Sequence, residues 1–173
     1  MMWPFSLLSK GVDQRLITNA TLTFGHDLYS SLRSYLDISA TDLMDMQIEI
    51  PTIAISATNA FIMIRKSQNR RLISQNIKFT ATAYALHFEK KMKGTIPFDY
   101  YFDILTSTAT GQLGMEYTQV FIATSPIKQP GELLEKIMLN TNASISDKDV
   151  GTAIDDIAEA LFTLIKNLEQ AGL

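Results

Sequence analysis

The chain has 173 residues, 46% hydrophobic and 19% charged, with a net charge of −3. That balance excludes a disordered chain and sets the expectation of one folded domain over 1–173, long enough to bury most of its apolar surface. Cysteine is absent, which excludes disulfides, thiolate metal ligands and cysteine nucleophiles and fits a reducing, cytoplasmic setting.

Residues 1–10 contain Trp3, Phe5, Leu7 and Leu8, but no basic n-region, and Pro4 breaks the apolar part. They do not read as a signal peptide and are expected to pack back onto the body. From Val12 to Leu36, the residues Leu16, Ile17, Ala20, Phe24, Leu28, Leu32 and Tyr35 recur at helical spacing, with Gly25 a local weakness.

The chain is organised around residues 42–64. Met46, Ile50, Ile53, Ala57, Ala60, Phe61 and Ile64 form one helical stripe, and Ile48, Ala54, Ile55, Ile62 and Met63 fall outside it. A helix apolar on several faces is covered on more than one side. Its uncharged run, Ile50 to Ile64, is shorter than the roughly 20 residues a bilayer requires, so a core helix is expected and no transmembrane span. Ser39 and Asp42 fit an N-cap signature. Pro51 interrupts the ladder, at a cost of about 3 kcal/mol in a helix interior, and predicts a kink or restart. A short strand around Ile48 to Ile55 is the rival.

Ser67 to Asn69 suggests a break, followed by a helix over Arg70–Met92; one long helix over 41–92 is the alternative, disfavoured because helices near 50 residues are rare in compact domains. Ile73, Ile77, Ala81, Tyr84 and Phe88 stripe one side of it, and Leu72, Phe79, Ala83 and Leu86 another. Lys90 to Gly94 is a helix end, and Pro97 a start. Helical spacing then persists from Phe98 to Ala123, although Gly111 and Gly114 weaken it and Tyr117 to Thr124 also suits a strand. Ser125 to Gly131 reads as a loop, Glu132 to Leu139 as a short helix, and Asn140 to Asp147 as a polar loop. Ser146 with Asp149 repeats the cap signature, before a clean amphipathic helix carrying Val150, Ile154, Ile157, Leu161, Ile165 and Leu168. The expected fold is an all-α bundle of five to six helices around the buried 42–64 helix. The alternative is an α/β or α+β domain with a small sheet.

Charge is segregated. Residues 65–93 hold eight basic side chains and one acid, whereas residues 94–173 hold four basic and eleven acidic. Within the basic segment, Arg65, Lys66, Arg70 and Arg71 flank a turn, and Arg70 and Arg71 would open a helix at its positive pole. An anion there would relieve that conflict, so these four are the candidate anion-binding residues. Pairing with the chain's own acidic C-terminal part is the plainer explanation. Tyr100, Tyr101 and Trp3 are the candidate interaction surface, since aromatics are enriched in hot spots.

His26 and His87 are the two histidines, and neither sits in a metal-binding or catalytic motif. They could meet in space, but packed or surface histidines are the plainer expectation. Asp42, Asp45 and Glu49 share a helical face and read as a solvated acidic surface. No nucleophile elbow, phosphate loop or dinucleotide fingerprint is present. The expectation is therefore a non-enzymatic helical protein, without metal or cofactor, that binds another protein as a regulator, adaptor or immunity-type antagonist. Homodimerisation through the C-terminal helix is a subsidiary expectation. The alternatives are a ligand- or metal-binding bundle with a pocket using His26, His87 or the acidic faces, and then anion or nucleic-acid binding through 65–93. The acidic total and the lack of aromatics between Arg65 and Lys78 weigh against nucleic acid.

Overall fold

The helix periods are realised throughout the described residues. The computed structural model describes residues 11–37, 42–67, 69–123 and 129–173, with side chains in the second helix described from Met46 onward. Among these residues the elements are α1 (Gln14–Tyr35), β1 (Leu36–Asp37), α2 (Asp42–Arg65), α3 (Arg70–Lys91), α4 (Phe98–Thr110), α5 (Gln112–Ala123), α6 (Gln129–Thr141), β2 (Ser144–Ile145) and α7 (Asp147–Gln170). The fold is an all-α bundle of seven described helices, more than the five to six expected.

α2 is the centre. It packs against all six other helices, and residues 49–60 are buried without interruption. Met46, Ile50, Ile53, Ala54, Ala57 and Ala60 join a core built with α1, α5, α6 and α7. On the other side, Ile55 joins Ala81, Ala85, Phe88, Tyr101, Leu105 and Ala109 in a second core with α3 and α4. An all-round apolar sequence thus serves two cores at once. The stretch Met46–Arg65 is long and apolar enough to cross a bilayer by length and composition, but 72% of it is buried inside the bundle. Its surroundings are those of a core helix. Ile64, expected in the stripe, is exposed near the helix end.

The expected break at 67–69 is real. Ser67 takes a left-handed backbone (φ 50°), and the Asn69 side chain caps α3 by accepting from the Leu72 N–H at 3.2 Å. The expected single helix from Phe98 to Ala123 is two. Gly111 turns to extended backbone (φ −86°, ψ −163°), and α5 folds back so closely that a Cβ on Gly114 would lie 2.0 Å from the Ala109 carbonyl oxygen. Only a glycine allows that approach.

The strand alternatives are overturned, because 48–55 and 117–123 are helical. The sheet that exists is a two-residue antiparallel pair, Leu36 opposite Ile145 and Asp37 opposite Ser144. α6 is longer at both ends than expected, taking Pro130 and Gly131 into its first turn. Proline fits there because the first helical N–H groups lack helical partners. Ser146 is the N-cap of α7, but its side chain makes no capping bond; Asp147 and Asp149 supply negative charge to the first turn. The Ser39 cap, the 124–128 part of the loop and Trp3 lie outside the described residues.

Candidate ligand-binding crevice

Three helices enclose the site. Thr21 meets Thr58 at 2.9 Å, and Gly25 lies against Ala54, so α1 and α2 run antiparallel. Thr21 also bonds Asn76, and Gly25 faces Tyr84, so α1 and α3 run in the same direction. A buried polar network fastens this first level. Asn76 accepts from Thr21 and Thr80 and donates to the Asn59 side chain and the Ile55 carbonyl. Satisfied networks of this kind specify helix register.

Beyond that network the helices part. The C-terminal halves of α1 and α3 and the N-terminal part of α2 enclose a crevice of about 720 Å3. That volume lies within the range of small-molecule sites. Leu22, Met46, Ile50, Pro51, Ala83 and Phe88 supply apolar wall. His26, Arg33, His87 and Lys91 line it from exposed positions, and no Asp or Glu lines it among the described residues. Both histidines therefore line one crevice. Arg33 and Lys91 occupy the last turns of α1 and α3, where cations favour the carbonyl ends of a helix.

Tyr84 crosses the crevice toward α1. A Cβ on Gly25 would stand 2.0 Å from the Tyr84 hydroxyl oxygen, so the glycine makes room for the phenol. That hydroxyl is buried and has no hydrogen-bond partner among the described residues, and burial raises its pKa above the ordinary tyrosine value. An orphaned buried hydroxyl costs about 1–3 kcal/mol.

Tyr101 closes the α4 side. Its ring stacks on Phe88 with centroids 4.5 Å apart, and its hydroxyl donates to the Gln47 carbonyl. Tyr101 is only 4% exposed, which corrects its assignment to an interaction surface, whereas Tyr100 is 61% exposed. The i+4 spacing of Tyr101, Leu105 and Ala109 carries the buried face of α4, and Tyr100 falls off it.

Glu49 is a second correction. It is buried at 4% rather than on a solvated acidic face. The Tyr117 hydroxyl donates to its carboxylate, and the Asn140 amide donates to Glu49 Oε1 at 3.0 Å and to the Tyr117 oxygen at 3.1 Å. Burial, then the adjacent carboxylate, raises the Tyr117 pKa. This cluster fastens α2 to α5 and α6.

The four candidate anion-binding residues are dispersed in role. Arg65 pairs with Glu169 of α7 at 3.0 Å and lies 5.1 Å from the Phe61 ring centroid. Pairing with the acidic C-terminal part thus accounts for Arg65. Arg70 lines a separate cavity of about 360 Å3 with Lys78, Thr106 and Thr110. Lys66 and Arg71 are exposed, and the first turn of α3 holds no acid. Among the described residues, no three His, Asp or Glu side chains converge as a metal site.

No family model, curated protein or solved structure matches this chain. The crevice residues that sequence reasoning did not single out are Arg33, Tyr84 and Lys91. Arg33 and Lys91 read as ordinary helix-end cations, and Tyr84 as one member of an apolar stripe.

Proposed function

We propose that the protein binds a small apolar molecule in the crevice between α1, α2 and α3. The observation that carries this reading is a crevice of about 720 Å3 with a largely apolar wall, opening directly beyond the packed Thr21–Asn76 level. Protein interiors are close-packed, so a wide, largely apolar opening suits a guest. The role is carriage or sensing rather than catalysis. A cytoplasmic setting, suggested by the cysteine-free composition, belongs to the same proposal.

Nile red, a neutral fluorophore that brightens in apolar surroundings, tests the reading. One saturable site per chain is expected. Ala83→Trp and Ser30→Trp, which fill the crevice from two different helices, abolish it while circular dichroism reports intact helix. Equal brightening in the wild type and both variants, or none in the wild type, contradicts it.

Protein–protein binding is the second reading, in the form of self-association through α7. Phe162 is 70% exposed, and Ile165, one helical step away, is 39% exposed. Such a pair suits helix-in-groove or helix-to-helix docking. Sedimentation equilibrium tests it, with Phe162→Glu expected to shift any dimer to monomer and a strictly monomeric wild type removing the idea.

A further inference from the structure

Resting on the crevice reading, we infer that the occupant is an anionic amphiphile: an apolar chain or ring bearing a single carboxylate or phosphate head. The apolar wall, from Ile50 and Pro51 to Phe88, takes the body. Arg33 and Lys91 take the head. They approach one cavity from two helices, and neither makes an ion pair among the described residues. His26 and His87 add further N–H donors around the same opening. With no carboxylate among the described lining residues, the field over the crevice favours a negative guest over a neutral or cationic one. Guanidinium and ammonium groups form their strongest hydrogen bonds to carboxylate and phosphate oxygens.

The dipole role of Arg33 and Lys91 makes a different prediction, which the experiment separates. Decanoate, decyl phosphate and 1-decanol are titrated calorimetrically into the full chain and into the Arg33→Gln/Lys91→Gln double variant. Either anion binds the wild type at least about tenfold more tightly than decanol, the size of one charge-assisted hydrogen bond. The tighter of the two anions identifies the head. In the double variant the anions lose about tenfold or more and decanol is unchanged. Shortening the anion's chain by one methylene weakens it by about fourfold.

Decanol binding as well as the anions overturns the inference while leaving the crevice reading intact. Binding of none of the three contradicts both. An equal loss for anions and decanol in the double variant means that the two cations only support the fold, and overturns the inference.

Discussion

The Tyr101 hydroxyl donates to the Gln47 carbonyl at 2.5 Å, and Gln47 stands four residues before Pro51. In an unbroken helix that carbonyl would accept from the N–H of residue 51, which proline lacks. α2 passes through Pro51 without interruption, and a side chain from α4 fills the vacancy. Tyr101→Phe keeps the stacked ring but orphans the carbonyl, lowering stability by about 1–3 kcal/mol in urea unfolding. In a Pro51→Ala background the new N–H takes the carbonyl, and the same substitution costs less than about 1 kcal/mol. An equal cost in both backgrounds would mean that the two residues are not coupled in this way.

Two glycine-to-alanine changes have opposite signs. Gly114→Ala drives a Cβ into the Ala109 backbone, which is not a flexible side-chain tip, and destabilises by about 1–3 kcal/mol or more. Gly151, inside α7, has nothing within 4 Å of its added Cβ. Gly151→Ala therefore stabilises by about 0.5–1 kcal/mol through helix propensity alone. Thermal melts of both variants against the wild type check the signs; stabilisation by Gly114→Ala would place the α4–α5 corner elsewhere.

Alkali weakens the fold. Burial raises the pKa values of Tyr84, Tyr101 and Tyr117 above the ordinary value of 10.0. Below about pH 10 these phenols are protonated in both states and stability does not depend on them. Above it the unfolded chain releases protons that the folded chain retains, so stability falls by about 1.4 kcal/mol per tyrosine per pH unit. Tyrosinate absorbance should appear together with loss of helix. Free titration of all the tyrosines before helix is lost would contradict their burial.

Tyr84→Phe separates function from stability. Removing an unpartnered buried hydroxyl relieves desolvation without breaking a bond, so the free protein gains up to about 1 kcal/mol. The hydroxyl is closed off from the crevice, so affinity for decanoate is unchanged in the same variant. Loss of stability instead would show that the hydroxyl has a partner in the free protein.

The bundle was legible because hydrophobic period carries helix existence and type, and α2 through its excess of apolar residues. Gly111 and Gly114 flagged the α4–α5 region, but close approach of two backbones is a tertiary fact that single-helix spacing does not express. The hydrogen-bonded core of Thr21, Thr58, Asn59, Asn76 and Thr80 leaves no apolar stripe in the sequence, because polar residues are buried there in exchange for one another. Glu49 and Tyr101 are hidden for the same reason: a charged or phenolic side chain counts as surface until its partner is known. Of the crevice, the sequence carries only its two histidines, His26 and His87, on separate helices. That both line it depends on α1 and α3 running side by side, which neither helix encodes alone.

The chain contains two histidines, and both line the crevice, so their imidazole proton resonances report on it directly. Decanoate is added to the full chain and the two signals are followed by NMR. Both are expected to move together and saturate at one ligand per chain, and neither to move in Ala83→Trp. Decanoate binding that leaves both imidazole signals unchanged would contradict the account, because the ligand would then sit elsewhere.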